Sequence, residues 1–199
     1  YARGGQGLTR FGAQVVAGDM KAGAGGHEAL RQRAVERTRI IVPDSDTSPS
    51  ATRERYMSQQ AAGHLIVQCL IEQGVKHAFG VPGESFLAVL DGFHAYREQI
   101  QFVINRQEGG AAFMAEAHGK LTGRPGVCFV TRGPGATNAS IGVHTAFQDS
   151  TPMVLFVGDV ASDMRDREAF QEVNYESFFG PSTKGFAKRV GRIDDARRS

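Results

Sequence analysis

From Tyr56 onward, short apolar runs alternate with longer segments in which apolar positions recur every three or four residues. Ala61-Ala-Gly-His-Leu-Ile-Val-Gln-Cys-Leu-Ile71 sets Leu65, Ile66, Cys69 and Leu70 on one helical face. Gly74 then ends that helix. A short strand, His77-Ala-Phe79, runs into Gly80-Val-Pro-Gly83, and a second helix follows from Phe86 to His94. Phe102 to Ile104 reads as a strand, and an alanine-rich helix starts at Glu108. Val127-Cys-Phe-Val130 is the next strand, and the turn Thr131-Arg-Gly-Pro-Gly135 leads into a helix that reaches Phe147. Pro152-Met-Val-Leu-Phe-Val157 shows no alternation, which marks a strand buried on both faces. Strands alternating with helices of this length predict βαβ units. The expected fold is α/β, a parallel sheet with helices on both faces in a flavodoxin-like three-layer sandwich.

The first 55 residues lack this order. They are rich in Gly and Arg (Arg3-Gly-Gly-Gln-Gly7, Gly23-Ala-Gly-Gly26) and end in the linker-like Pro43-Asp-Ser-Asp-Thr-Ser-Pro-Ser50. They carry nine Lys/Arg against six Asp/Glu, and those acids argue against an organellar transit peptide. Residues 1–55 are expected to form a disordered arm, 56–185 a folded domain, and 186–199 the start of a linker to a further domain.

Composition removes several classes of function. The hydrophobic content of 41% and charged content of 22% are those of a globular chain, and no apolar run has the length of a membrane span. The net charge is only +2, far from the concentrated basic face that nucleic acid demands. Cys69 and Cys128 lie in apolar stretches and read as buried thiols of a cytoplasmic protein. None of the six histidines has metal-ligand spacing to Cys, Asp or Glu, so no metal site is expected in this chain. His118 reads as a packing or surface residue, and His144 is a candidate for a subunit contact.

In a parallel sheet every strand-to-helix loop emerges on the same side, where ligands collect. Those loops are Val81-Pro-Gly-Glu84, Gln107-Glu-Gly-Gly110 and Thr131-Arg-Gly-Pro-Gly-Ala-Thr-Asn138. Small residues stiffened by proline let a flat ring lie against backbone. Glu108 stands at the edge of that slot as a candidate acid or base; a first-turn glutamate also serves the helix dipole without any chemistry. Gly133-Pro-Gly-Ala-Thr-Asn138 echoes a dinucleotide fingerprint but lacks its third glycine, which leaves a nicotinamide oxidoreductase a weak alternative.

Taken in order, Phe79-Gly-Val-Pro-Gly83, Glu108-Gly-Gly-Ala-Ala-Phe-Met-Ala-Glu116, Gly126-Val-Cys-Phe-Val-Thr-Arg-Gly-Pro-Gly-Ala-Thr-Asn138 and Asp149-Ser-Thr-Pro-Met-Val-Leu-Phe-Val-Gly158 resemble the N-terminal pyrimidine-binding domain of thiamine-diphosphate enzymes. The similarity is to the acetolactate synthase and pyruvate oxidase group, and it continues through Asp166-Arg-Glu-Ala-Phe-Gln-Glu172. The resemblance implies that Glu108 hydrogen-bonds a ring nitrogen of the cofactor's aminopyrimidine. A proton shared there favours the imino tautomer of the neighbouring amine, which can take the thiazolium C2 proton so that the cofactor attacks a 2-oxo acid. It further implies that Val81, Pro82, Gly83, Thr131, Gly133 and Asn138 line the cofactor, and that Glu84, Phe170 and Gln171 lie on the substrate side.

Several parts of the family's machinery are not in this stretch. The diphosphate and its Mg2+ are held in the family by a C-terminal domain marked by Gly-Asp-Gly, which this sequence lacks. The resemblance therefore implies a chain that is inactive until joined to a diphosphate-binding domain, in a homodimer or tetramer. FAD is left open, with no residue of this chain supporting it. Gly109, Arg132 and Gly158-Asp-Val160 replace the Gln, Ser and Gly-Gln-Val common in the synthases. These departures keep open other decarboxylases and carboligases acting on pyruvate-like substrates. A truncated, non-catalytic binding module is the non-enzymatic alternative.

Overall fold

The structure is a computed structural model that describes residues 62–184 and 186–190, together with the strand formed by residues 13–17. The elements run β1 (Ala13–Ala17), α1 (Ala62–Glu72), β2 (His77–Gly80), a 3-10 turn (Glu84–Phe86), α2 (Leu87–Ala95), β3 (Gln101–Ile104) and α3 (Glu108–Thr122). Next are β4 (Gly126–Val130), α4 (Pro134–Asp149), β5 (Met153–Gly158), the short α5 (Tyr175–Phe179), a 3-10 turn (Gly180–Ser182) and β6 (Ala187–Val190). Local chemistry sets the helix ends. The Gln107 side chain caps α3 by accepting from Gly110 N at 3.0 Å, and Gly123 ends it at φ +68.

The strand order is β3-β2-β4-β5-β1-β6. β3, β2, β4 and β5 are parallel neighbours, as expected for βαβ units. β1 enters antiparallel to both β5 and β6, with Val15 opposite Phe156 and Lys188. Two expectations are touched by this edge. Five residues of the anticipated arm form β1, and the rest of residues 1–55 lie outside the described residues. Ala187–Val190, within the anticipated linker 186–199, form β6. Neither short segment was distinctive alone; pairing at the sheet edge supplies backbone partners that sequence periodicity does not encode.

Two cores sandwich the sheet. Ala78, Val127 and Phe129 face α1 and α2, joined by Val67, Phe86, Val89 and Phe93. Cys128, Val130, Leu155 and Val157 face α3, α4 and α5, joined by Ala111, Ala115, Ala139, Tyr175 and Phe179. Adjacent residues of β4 thus serve opposite layers, as the pleat requires. The first core is aromatic: Phe129 stacks on Phe156 at 4.5 Å and meets Phe93 edge-on at 5.3 Å. The second is built of alanine and glycine, so backbones approach closely. A Cβ on Gly126 would lie 1.8 Å from the carbonyl oxygen of Ala115, and one on Gly142 would lie 2.5 Å from Ala112 Cβ. Cys128 is fully buried as expected, whereas Cys69 is half-buried. No helix among the described residues is long and apolar enough to cross a membrane.

The contact at Gly126 is backbone against backbone and has no flexible end to yield. Gly126→Val is therefore expected to cost about 3 kcal/mol through overpacking, seen as a lower urea midpoint at unchanged slope. An unshifted midpoint is incompatible with this helix-to-strand distance.

Candidate functional site

The order β3-β2-β4-β5 reverses between β2 and β4, and a crevice opens there at the carboxyl ends of the strands. Its walls are the loops that follow those two strands. Gly83 is extended, and a Cβ on it would lie 2.5 Å from Thr131 Cβ, so only glycine lets the loops close to this distance. Ser85 is buried beneath them; its hydroxyl shares a hydrogen bond with Thr131 Oγ1 at 2.8 Å and accepts from Arg132 N at 3.3 Å. Gly133 adopts φ +60, and its N–H donates to the hydroxyl of the fully buried Tyr175 at 2.7 Å. Pro134 then starts α4 with φ already set for a helix.

Glu108 is the first residue of α3 and is half-buried. Asn138, one turn into α4, donates from Nδ2 to Glu108 Oε2 at 3.0 Å. Oε1 accepts no hydrogen bond among the described residues, and it lies 3.5 Å from where a Cβ on Gly135 would sit. One carboxylate oxygen is thus fixed while the other faces Gly135. The buried Cys128 thiol lies within reach of this charge. Burial first, and the Glu108 carboxylate second, push its pKa up, so it stays a neutral thiol.

The outer lip is charged. Arg132 pairs through Nη2 with Glu84 Oε1, donates from Nε to the carbonyl of Phe170 at 3.1 Å, and lies 5.9 Å from the Phe170 ring centre. Arg132, Asp159, Val160, Ala161, Met164, Ala169 and Phe170 line a cavity of about 190 Å3. Asp159 is tied to Arg189 Nε at 3.1 Å, with both side chains buried. Burial pushes the Asp159 carboxyl up, against the N–H of Val160 and the charge of Arg165.

The structure gathers Gly83, Thr131, Gly133, Glu108 and Asn138 around one crevice. Val81 and Pro82 form its β2 side, and Pro82 also borders a separate groove of about 410 Å3 beside β3. Glu84 and Phe170 stand on the outer lip, linked through Arg132 and not to Glu108. Gln171 backs Gly133, where an added Cβ would lie 2.6 Å from its own. Sequence reasoning missed Ser85 and Tyr175, whose partners are 46 and 42 residues away. It noted Arg132 only as a departure from pattern. His118 lies away from the crevice, its ring centre 6.3 Å from that of His77; burial first, then His77 and Arg124, lower its pKa. His144 is exposed on α4. No group of three potential metal ligands occurs among the described residues.

Residues 60–178 match the family described as thiamine pyrophosphate enzyme, N-terminal TPP binding domain. The chain is 41% identical over 135 residues to the acetolactate synthase of Bacillus subtilis, covering 67% of this chain and 23% of that protein. It is 37% identical over 144 residues to the mitochondrial acetolactate synthase catalytic subunit of Aspergillus candidus, covering 72% and 20%. It is 40% identical over 128 residues to the acetolactate synthase isozyme 3 large subunit of Escherichia coli, covering 64% and 22%. The match thus spans less than a quarter of the length of these curated relatives.

Tyr175 holds the Gly133 amide through a buried hydroxyl. Tyr175→Phe leaves that donor unpaired and is expected to cost about 1–3 kcal/mol, measured by urea unfolding. Burial, the largest cause, raises the Tyr175 pKa above its ordinary value of 10.0. The unfolded chain therefore loses its phenolic proton first, so this contribution is complete below about pH 10 and declines above it. The Phe variant's stability profile should lack that alkaline decline.

Proposed function

The chain belongs to the family of thiamine pyrophosphate enzymes, as their N-terminal TPP binding domain, and from that premise we propose that Glu108 holds the pyrimidine end of thiamine diphosphate. The observation that carries this reading is the half-buried carboxylate with Oε2 held by Asn138 and Oε1 turned toward Gly135. The residues present fit the group. Gly83 and Gly135 pack directly on Thr131, where an added Cβ would lie 2.5 and 2.7 Å from its side chain, and a wall without protruding side chains suits a planar heterocycle. Val81 and Pro82 would bound the ring on the β2 side, with Gly133 and Asn138 on the β4 side. Glu108 Oε1 would share a proton with a ring nitrogen, while Asn138 keeps the carboxylate from turning away. When bound, the cofactor supplies a carbon nucleophile for the carbonyl of a 2-oxo acid.

The reaction we favour is decarboxylation or condensation of a pyruvate-like 2-oxo acid, most like that of an acetolactate synthase. Glu84, Phe170 and Gln171 would meet the substrate at the outer lip. The diphosphate and Mg2+ would be held by another domain of the same or a neighbouring subunit, so residues 56–185 alone would turn over nothing. The protein is proposed to be cytoplasmic. Met114 and Leu121 on α3 and Ile141 on α4 are large exposed apolar residues, with Phe113 beside them. On α3 they begin five residues after Glu108. They suit a subunit interface in a homodimer or tetramer, with His144 at their border.

Glu108→Gln cannot share a proton in this way and is expected to slow cofactor C2 proton exchange by about 10²–10⁴-fold. NMR of the full-length enzyme with thiamine diphosphate reads this directly, and unchanged exchange would remove Glu108 from the role. Met114→Glu with Ile141→Glu is expected to shift sedimentation toward the monomer without changing circular dichroism. Persistence of the assembly would place the interface elsewhere.

A further inference from the structure

We propose that Arg132 is a positioning residue that clasps the two lips of the crevice and so sets substrate affinity, apart from the proton chemistry at Glu108. This rests on the crevice being the thiamine-diphosphate site. Two segments meet at its guanidinium. Nη2 pairs with Glu84 on the loop after β2, and Nε holds the Phe170 carbonyl on the strap that follows β5. The backbone N–H of Arg132 binds Ser85 beneath them. The Arg132 side chain is only 14% exposed, whereas Glu84 is 70% and the Phe170 residue 74% exposed. Two surface residues are thus held in place by one buried cation. A guanidinium can serve two acceptors at fixed angles; an ammonium cannot reproduce that fork.

The strap needs such a hold. Asp166, Glu168 and Gln171 all have φ between 55 and 61, in the left-handed region that non-glycine residues avoid. The Glu172 carboxylate fastens the strap from within, accepting from Asp166 N at 2.8 Å and Ala169 N at 3.1 Å. These amide bonds, that of Asp166 first, hold the Glu172 pKa down. Arg132 is its tie to the rest of the crevice wall, through Phe170. Arg132 is also a position at which this chain carries a large charged residue where the synthases it resembles have Ser. The structure pairs it with Glu84, so the two charges act as one feature. In that feature Arg132 holds Glu84 on one side of the mouth, and Phe170 and the backing Gln171 on the other.

The test is a double-mutant cycle with Arg132→Ser and Glu84→Gln in the full-length enzyme. Each single variant is expected to raise KM for the 2-oxo acid about tenfold, the effect of one charge-assisted hydrogen bond. kcat and cofactor C2 exchange should stay near wild type. The double variant should be no worse than either single one, and Arg132→Lys should recover only part of the loss. Additive effects, or an equal fall in kcat and cofactor exchange, would overturn the proposal. A second arm needs no turnover. In the 199-residue chain, Glu84→Gln should speed amide hydrogen exchange at residues 170–172 about tenfold while β4 is unchanged. Unchanged exchange there overturns the clasp. If the wild-type enzyme acts on no 2-oxo acid, the functional reading fails, and this exchange measurement still decides whether the clasp exists.

Discussion

The short parallel sheet has to be covered on both faces, and most of the molecule follows from that requirement. β4 is buried along its whole length, with Val127 and Phe129 given to one layer and Cys128 and Val130 to the other. Covering both faces forces helices between successive parallel strands, and every loop entering a helix then opens at the same edge. The crevice is the place where successive connections diverge to opposite sides of β2 and β4. Its position is therefore a consequence of topology, and its chemistry comes from the few residues that the loops bring there.

Within the crevice the two layers contribute differently. The aromatic layer under α1 and α2 carries large rings whose mutual packing fixes β2 and the 3-10 turn containing Ser85. The alanine-rich layer lets α3 and α4 approach each other, which sets Asn138 on Glu108. A carboxylate and its amide partner from different helices hold their distance only if the helices cannot slide. The Gly142 contact with Ala112 supplies that restraint. The charged lip lies outside both cores and depends on ion pairing, a softer and more solvent-sensitive kind of order.

The sequence made the sheet and its four parallel strands legible because period and punctuation agreed. Pro152–Val157 read as a doubly buried strand; the strand is there, bounded by Met153 and Gly158, with Met153, Leu155 and Val157 buried and Val154 and Phe156 only half-buried. Glu108 was legible because a lone carboxylate at a strand-to-helix junction combines position with chemistry. Tyr175 was not: nothing near it announces that its hydroxyl will meet the Gly133 amide 42 residues away. The same holds for Ser85, which reads as a turn residue until Thr131 and Arg132 are placed beside it. Arg132 shows the intermediate case, since its oddity could be seen in the sequence but its partners could not. β1 and β6 escaped because they pair antiparallel, outside the alternation of strand and helix that marked the other four.

The close backbone contacts at Gly126, Gly142 and Gly83 invert a common intuition about which positions in a protein can drift. A large core side chain such as Leu155 can be exchanged for another of similar volume with modest repacking. A residue that contributes only an absent side chain has no substitute, because every alternative is bigger. Evolutionary freedom in this domain should therefore rise with residue size within the core. A library that randomised the bulky positions and kept the glycines would retain the fold more often than one built the other way round.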